Sequence, residues 1–226
     1  MSIAHAPDFQ GLPPSRAGSL TLLGGALCLN FCNTTSGRGT SQVQEHLRSF
    51  DNLLAWAKHA GAVDDQVARR LESDPPSPAE GERILARALE LRAALHAIFA
   101  SAMAGISAPA NSLADLNAVL SEAMGATALL PADGGYVWDW PKGPLAPDRV
   151  LWAVARSAAE LLIDGDLTRL RVCPGCFCGW MFLDRTRNGK RRWCEMEICG
   201  SRNKMRRYHQ RQRDGQPGHS RPDTPF

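Results

Sequence analysis

Five cysteines lie within 27 residues near the end of this 226-residue chain. Cysteine thiolates at close spacing are typical ligands of structural zinc, whereas a catalytic zinc keeps an open position and often has histidine or carboxylate ligands. The segment between the first and last of these cysteines contains no histidine. Such clustering in a chain without secretory features also favours metal over disulfides. We therefore expect one structural Zn²⁺ per chain. The cysteines are Cys173, Cys176, Cys178, Cys194 and Cys199.

A tetrahedral zinc site takes four ligands, which often come from two close pairs. Cys194 and Cys199, with four residues between them, form one pair. The other pair contains Cys173 together with either Cys176, after two intervening residues, or Cys178, after four. The spacing alone leaves both alternatives open.

The residues between and after the two pairs predict the rest of a small module. Asn188-Gly189 is typical of a two-residue β-hairpin turn, and a basic helix is expected over 200–213. Met205 and Tyr208, three residues apart on this helix, would pack on the hairpin. The predicted order is knuckle, hairpin, knuckle, helix. Metal should supply much of the folding energy, because about 40 residues bury little apolar surface alone.

Positive charge is concentrated in the same region. Residues 185–213 contain eleven Lys and Arg and two Glu, a local charge of +9, whereas the rest of the chain carries −6 and the whole chain +3. A mildly acidic body with a basic segment points to a polyanionic partner. We expect DNA, with cations on phosphates and Arg202 or Asn203 near base edges. The predicted nucleic-acid contacts are Arg185, Arg187, Lys190, Arg191, Arg192, Arg202, Asn203, Lys204, Arg206, Arg207, Arg211 and Arg213.

Apolar periodicity and capping residues predict a mainly helical body before the cysteines. Ser77-Pro-Ala-Glu80, for example, is typical of a capped helix start. The predicted fold class is α+β: a mainly helical N-terminal domain with a small β-hairpin, then a C-terminal four-cysteine zinc finger. The predicted helices cover residues 50–60, 64–72, 78–103, 111–124 and 148–163. The predicted boundaries are a flexible N-terminus at 1–18, the helical domain at 19–167, the finger at 168–213 and a disordered tail at 214–226.

Two segments of the body have strand patterns. Apolar residues alternate with more polar ones over 27–32, which predicts a short strand. Residues 126–130 and 136–140 flank a turn-rich stretch and predict a hairpin. The three aromatic residues of its second strand share one face, and we expect them in the core rather than around a pocket. They are Tyr136, Trp138 and Trp140.

Composition and motifs exclude several classes of protein. No apolar run approaches the roughly 20 residues that span a bilayer, and no basic segment precedes the early apolar stretch 20–29, as a signal peptide requires. We therefore expect a cytoplasmic protein without a membrane partner. Phosphate-binding glycine loops, zinc-protease helix motifs and nucleophile elbows are missing, so no enzyme is expected. Five other residues could bind a metal or take part in catalysis. Cys28 and Cys32 are expected to be buried thiols, and His46, His59 and His96 are expected to be structural or exposed.

Motifs in two parts of the chain carry a family resemblance. The first is Leu29-Asn-Phe-Cys-Asn-Thr34. The second combines Cys178-Gly-Trp180, Arg191-Arg-Trp-Cys194 and Cys199-Gly-Ser-Arg202 with Cys173, Phe182, Asp184 and Met196. The second resembles the CGNR zinc finger of bacterial proteins, and the first resembles the opening motif of the ABATE domain that usually precedes that finger. The resemblance covers about 19–213 and implies a stress-induced transcription regulator that binds DNA.

The resemblance also bears on the zinc ligands. In the family, four residues separate the cysteines of the first pair, which implies the ligand set Cys173, Cys178, Cys194 and Cys199 and leaves Cys176 as an extra thiol. The chain departs from the family pattern at three positions. Serine stands for asparagine in the last motif, and asparagine and cysteine stand for aspartate and an apolar residue in the first. These positions are Ser201, Asn30 and Cys32.

Together these observations predict a DNA-binding transcription regulator. The finger would hold a basic helix against DNA, and the N-terminal domain would sense a small-molecule effector, form a homodimer, or do both. One alternative is an RNA- or protein-binding zinc module without a promoter target. A second is an enzyme housed in the helical body, with the finger as an accessory.

Overall fold

A computed structural model describes residues 14–38, 40–141 and 146–213 of the chain. The predicted tail at 214–226 lies outside the described residues, as does the predicted flexible N-terminus except for its last five residues. None of the helices in the described ranges combines the length and apolar character that crossing a membrane requires.

The described chain is mainly helical, with three small antiparallel sheets, as the predicted fold class requires. The helices are α1 (Leu27–Cys32), α2 (Phe50–His59), α3 (Asp65–Ser73), α4 (Pro78–Ala104), α5 (Ala110–Gly125), α6 (Arg149–Asp164) and α7 (Ser201–Arg213). The paired strands are β1 (Thr35–Ser36) with β2 (Gln44–Glu45), β3 (Ala128–Ala132) with β4 (Gly135–Asp139), and β5 (Leu170–Val172) with β6 (Met181–Leu183). A π-helical turn, Met196–Gly200, leads into α7.

Helix α4 is the centre of the body. It begins as predicted, because the Ser77 hydroxyl accepts the backbone N–H of Glu80 at 3.3 Å, and it ends where Gly105 takes a left-handed φ of 67°. Such a conformation suits glycine, which has no Cβ. Helices α1, α2 and α5 pack against α4, and α6 packs against α1 and α5. They enclose one apolar core, in which the rings of Phe31 and Trp56 lie 5.0 Å apart.

The prediction of a strand over 27–32 is wrong, because this segment is helix α1. Cys28, Leu29, Phe31 and Cys32 are all buried, so side chains on several faces of the helix contact other parts of the body. A short apolar segment buried on all sides does not show which period it follows, and periodicity then cannot separate helix from strand.

The predicted β3–β4 hairpin is present, but its turn is shorter than expected and its aromatic residues are not in the core. Ala132 pairs with Gly135, so only two residues form the turn. Tyr136 and Trp138 are 73% and 60% exposed. Trp140, just after β4, is half-buried and donates its indole N–H to the carbonyl of Ala123 at 2.8 Å. The hairpin therefore projects from the body and is anchored at its base.

Candidate metal centre and basic surface

Four cysteines come together where β5, β6 and the π-helical turn meet. Their Sγ atoms all lie within 4.8 Å of one another. The Cys194 Sγ lies 3.6 Å from the Sγ atoms of both Cys178 and Cys199. Sulfurs bound tetrahedrally to zinc at about 2.3 Å would be about 3.8 Å apart, whereas a disulfide needs about 2.05 Å. The arrangement therefore fits a tetrahedral metal ion. The four are Cys173, Cys178, Cys194 and Cys199.

The first knuckle brings Cys178 rather than Cys176 to this cluster. Its turn closes through a hydrogen bond from the Cys178 N–H to the Gly175 carbonyl at 3.0 Å. Cys173, at the other side of the knuckle, donates its N–H to the Trp180 carbonyl at 2.8 Å. A Cβ on Gly175 would lie 3.0 Å from the Cys199 sulfur, so glycine lets the backbone pass close to the cluster. The Cys176 thiol is exposed outside it.

Clustering disfavours ionisation of all four thiols together, because like charges at this spacing repel one another. Hydrogen bonds from Cys178 and Cys194 lower the pKa of the Cys173 thiol. The same hydrogen bonds raise the pKa of Cys178 and Cys194, which act as their donors, and burial raises the pKa of Cys199. A divalent cation at the centre would favour four thiolates together. The donor set therefore fits a soft or borderline metal ion.

The segment between the two cysteine pairs is a loop built around Asp184. This buried carboxylate accepts the Thr186 N–H at 2.9 Å and hydroxyl at 2.5 Å through one oxygen, and the Arg191 N–H at 2.8 Å through the other. These hydrogen bonds, those of Thr186 above all, lower the pKa of Asp184. The prediction of a hairpin around Asn188-Gly189 is wrong, because strand pairing within the described part of the finger joins β5 and β6, on either side of the first knuckle.

Most predicted nucleic-acid contacts are exposed cations on this loop and on α7. None of them has an acidic partner within the described ranges, so their charge is available to a ligand. They are Arg187, Lys190, Arg192, Arg202, Lys204, Arg206, Arg207, Arg211 and Arg213.

Three predicted contacts differ from these, because two of them donate to backbone carbonyls of the protein and the third is buried. The Arg191 guanidinium lies over the ring of Phe182, 4.6 Å from its centroid, and donates to the carbonyls of Trp193 and Cys194. Arg185 donates to the carbonyl of Gly25 in the body at 2.5 Å. The third, Asn203, is only 8% exposed, so its predicted position near base edges is wrong.

Helix α7 buries Asn203 and turns its other side to solvent. Met205 and Tyr208, predicted to pack on the finger, are 57% and 55% exposed. Helical spacing explains this, because Asn203 occupies the inward face and these two residues lie roughly opposite it. Together with Gln212, which donates to the Tyr208 hydroxyl at 2.7 Å, they form a strip that we call the neutral strip.

Cations flank the neutral strip on both sides. Residues three or four positions apart share a helix face, which groups the six basic residues of α7 into two rows. One row is Lys204, Arg207 and Arg211, and the other is Arg202, Arg206 and Arg213. The helix thus presents a neutral central line between two positive edges.

Residues 25–165 match the family model of ABATE, whose description is "Putative stress-induced transcription regulator". The chain belongs to the ABATE family. Residues 169–212 match a second model, the CGNR zinc finger. The ABATE and CGNR models are of regulator and zinc-finger types and not of enzymes. A comparison with curated proteins finds no match.

In this ABATE protein, the opening motif joins the body to the finger. The Asn33 side chain donates to the Met181 carbonyl and accepts the Met181 N–H, both at 2.8 Å and both buried. The amide of Asn33 thus pairs with strand β6 as a neighbouring strand would. Nearby, Leu183 donates its N–H to the Gly24 carbonyl at 2.9 Å.

Sequence reasoning missed the role of Asn33, although a signal was present. An asparagine within an apolar segment must find hydrogen-bond partners when it is buried. The next residue, Thr34, also has partners within the body. Its hydroxyl accepts a hydrogen bond from Arg92 at 2.8 Å, and Arg92 forms a buried ion pair with Glu45. The motif therefore positions the finger.

The remaining candidates of the body are structural. Cys28 and Cys32 are buried as predicted, and burial raises the pKa of Cys28 to about 11 and of Cys32 to about 12. His46 is buried and accepts the N–H of Arg16, and His59 lies 2.7 Å from the carbonyl of Leu20. Burial, with Arg38 and Arg92 nearby, lowers the pKa of His96 to about 4.

Proposed function

We propose that this ABATE protein is a DNA-binding transcription regulator whose CGNR finger holds one structural zinc ion and presents α7 to duplex DNA. The observation that carries the proposal is the outer face of α7, where two rows of cations without acidic partners flank the neutral strip. The family description supports a regulatory role. We place the protein in the bacterial cytoplasm, where such a regulator acts.

The zinc ion would be held by Cys173, Cys178, Cys194 and Cys199. The finger buries few side chains of its own, its core being these cysteines and Phe182 with partly buried neighbours. So small a core does not stabilise a module of this size. Metal binding would therefore supply folding energy and keep α7 in place.

An α-helix fits the major groove of B-DNA, which is about 12 Å wide. With the neutral strip facing the base edges, the two cationic rows would face the phosphates of opposite strands. The loop cations Arg187, Lys190 and Arg192 extend the phosphate contacts beyond the helix. Arg202, at the start of α7, remains a candidate for a base edge, whereas Arg185, Arg191 and Asn203 are withdrawn from the contact set.

Selection of bound sequences from a random duplex pool, followed by salt titration, tests the proposal. The logarithm of affinity should fall steeply with the logarithm of salt, by about 0.9 per phosphate contact. Arg206→Gln and Arg207→Gln, one in each row, should each reduce that slope by about 0.9. Arg69→Gln, which removes an exposed cation from α3, is the matched control and should change nothing. Failure of the wild-type protein to bind any duplex at low salt would refute the proposal.

Binding of single-stranded RNA is the second candidate, and the exposed ring of Tyr208 favours it. Unpaired bases stack on exposed aromatic side chains, whereas bases within a duplex do not. An RNA pool selected beside the duplex pool separates the two functions. Tyr208→Leu should weaken RNA binding at least several-fold but leave the salt slope on duplex DNA unchanged.

The homodimer predicted from the sequence stays a proposal, and we assign it to the β3–β4 hairpin. Leu129, Tyr136 and Trp138 expose apolar surface there. Exposed apolar patches commonly mark protein interaction sites.

A further inference from the structure

A cleft of about 380 Å³ lies between the body and the finger. The body contributes the segment from Arg16 to Leu23 and residues around β1 and β2, and the finger contributes the first knuckle, the π-helical turn and Arg202. This volume is within the range of small-molecule sites, which often occur between domains.

The first knuckle places a strained aromatic residue on the wall of this cleft. Phe177 has a φ of 60°, and within the described ranges it is the one residue other than glycine with a positive φ. The left-handed region is unfavourable for a bulky side chain. Phe177 is 42% exposed, so part of its side chain is open to the cleft. Backbone strain of this kind is characteristic of ligand sites.

Polar groups around the cleft have unused hydrogen-bonding capacity. The Trp180 indole N–H and one carboxylate oxygen of Glu195 are buried and have no partner in the described structure. Arg16 and Arg202, from opposite walls, have no acidic partner within the described ranges. The amide of Gln44 is exposed at the same cleft.

We propose that this cleft binds a nucleobase-like planar heterocycle that carries an anionic group. The ring would stack on Phe177, and the anionic group would lie between the two arginines. A plain aromatic acid is less suitable, because its ring has no N–H group to donate to the unpartnered carboxylate oxygen of Glu195. A heterocycle brings N–H donors to Glu195 and acceptors to Gln44 and Trp180, as amide side chains and base edges do in nucleic-acid complexes.

Two ligands have this chemistry: a free nucleotide, and a base of a nucleic-acid strand bound at α7. The second is within reach because Arg202 belongs to both the cleft and the basic surface of α7. In either case the ligand touches both the body and the finger. Its binding would therefore be coupled to the orientation of α7 relative to the body. The proposal that the cleft binds a base of a bound strand rests on the proposed nucleic-acid function, whereas the proposal that it binds a free nucleotide does not.

The test uses the full-length, zinc-loaded protein and the four ribonucleoside monophosphates as probes. Calorimetry measures binding, and mass spectrometry measures protection of the exposed Cys176, which lines the cleft, from alkylation. Phe177→Gly should reduce affinity at least tenfold while the melting temperature stays equal or rises, because glycine accepts the positive φ. The matched control is Ile106→Ala, which removes an exposed apolar side chain that does not line the cleft and should leave binding unchanged.

Arg16→Gln provides a second arm in case the knuckle variant fails to fold. It should weaken binding of the nucleoside monophosphate but not of the corresponding nucleoside, which has no phosphate. Protection of Cys176 by a short single-stranded oligonucleotide, but not by mononucleotides, would support the bound strand as the source. If neither protects Cys176, or if Phe177→Gly binds like the wild type, the proposal is wrong. Duplex binding by Phe177→Gly is measured separately, so that loss of ligand binding in the cleft is distinguished from loss of DNA binding by α7.

Discussion

Burial and partners, more than residue type, distinguish the functional side chains of this protein. Cys28 is enclosed in the apolar core, where burial raises its pKa and keeps the thiol protonated. Cys194 lies among three other sulfurs, where a metal ion would favour the thiolate. Arginines differ in the same way, since Arg191 is held over Phe182 whereas Arg206 is free for a ligand.

The ligand set is tested by substituting one clustered and one exposed cysteine. Cys194→Ser should abolish stoichiometric zinc and unfold the finger, because a tetrahedral structural site needs all four ligands. Cys176→Ala is the matched control and should retain one zinc per chain, since its thiol lies outside the cluster. Metal analysis by mass spectrometry gives the zinc content, and circular dichroism should show that the body of Cys194→Ser stays helical. Loss of zinc from Cys176→Ala would contradict the assignment.

Cysteine spacing predicted the metal site, but spacing alone did not choose between Cys176 and Cys178. That choice depends on the knuckle turn, in which the Cys178 N–H bonds to Gly175 and its sulfur points to Cys194. Asn203 was misplaced for a related reason. A polar residue in a basic helix suggests exposure, but the turn before α7 directs this position inward.

Among the elements, the long helices were predictable because their start and stop signals are local. Ser77 caps α4 and Gly105 ends it, and both features are visible in the sequence. Helix α1 was not predictable in this way, because contacts with distant helices bury it. The β3–β4 hairpin was located, but its exposed face was not, since alternation does not show which face meets the body.

Docking of β6 onto α1 depends on the Asn33 side chain. Asn33→Ala would remove two buried hydrogen bonds and leave the N–H and carbonyl of Met181 without partners. Each unsatisfied buried group costs about 1–3 kcal/mol, so the free energy of unfolding should fall by about 2–6 kcal/mol. Urea denaturation measures this loss, and hydrogen exchange at the Met181 amide should accelerate.

Asn117→Ala is the matched control for this substitution, because Asn117 is exposed on α5. It should change the free energy of unfolding by less than about 0.5 kcal/mol, as is usual for surface substitutions. Unaltered exchange at Met181 in Asn33→Ala would show that the two hydrogen bonds do not hold the finger to the body.

At the scale of the whole molecule, charge is divided between paired and unpaired cations. Ion pairs within the described ranges lie at or before Arg169, as in the body pair of Arg87 with Asp148. The cations of α7 have no such partners. The sequence predicted this division, because the charge counts differ between 185–213 and the rest. It did not predict the cleft, which depends on contacts between residues far apart in the chain, such as Asn33 and Met181.

The oligomeric state is tested at the β3–β4 hairpin, whose strands pair only with each other within the described structure. An isolated two-stranded hairpin is marginally stable in water, and a second copy covering its apolar face would stabilise it. Sedimentation should therefore show a wild-type dimer and a monomer for Tyr136→Ser with Trp138→Ser. The melting temperature of that monomer should fall only modestly, because both side chains are exposed.

Tyr208→Ser, which removes an exposed aromatic residue from α7, is the matched control and should remain a dimer. A dimer would place two copies of α7 on one DNA molecule, so the selected sequences should contain two half-sites related by a two-fold axis. The hairpin variant should bind a single half-site with unchanged affinity but lose most of the gain from the second, because that gain comes from linking the two binding events. A wild-type monomer that selects single sites would refute the proposed dimer and would mean that one finger binds alone.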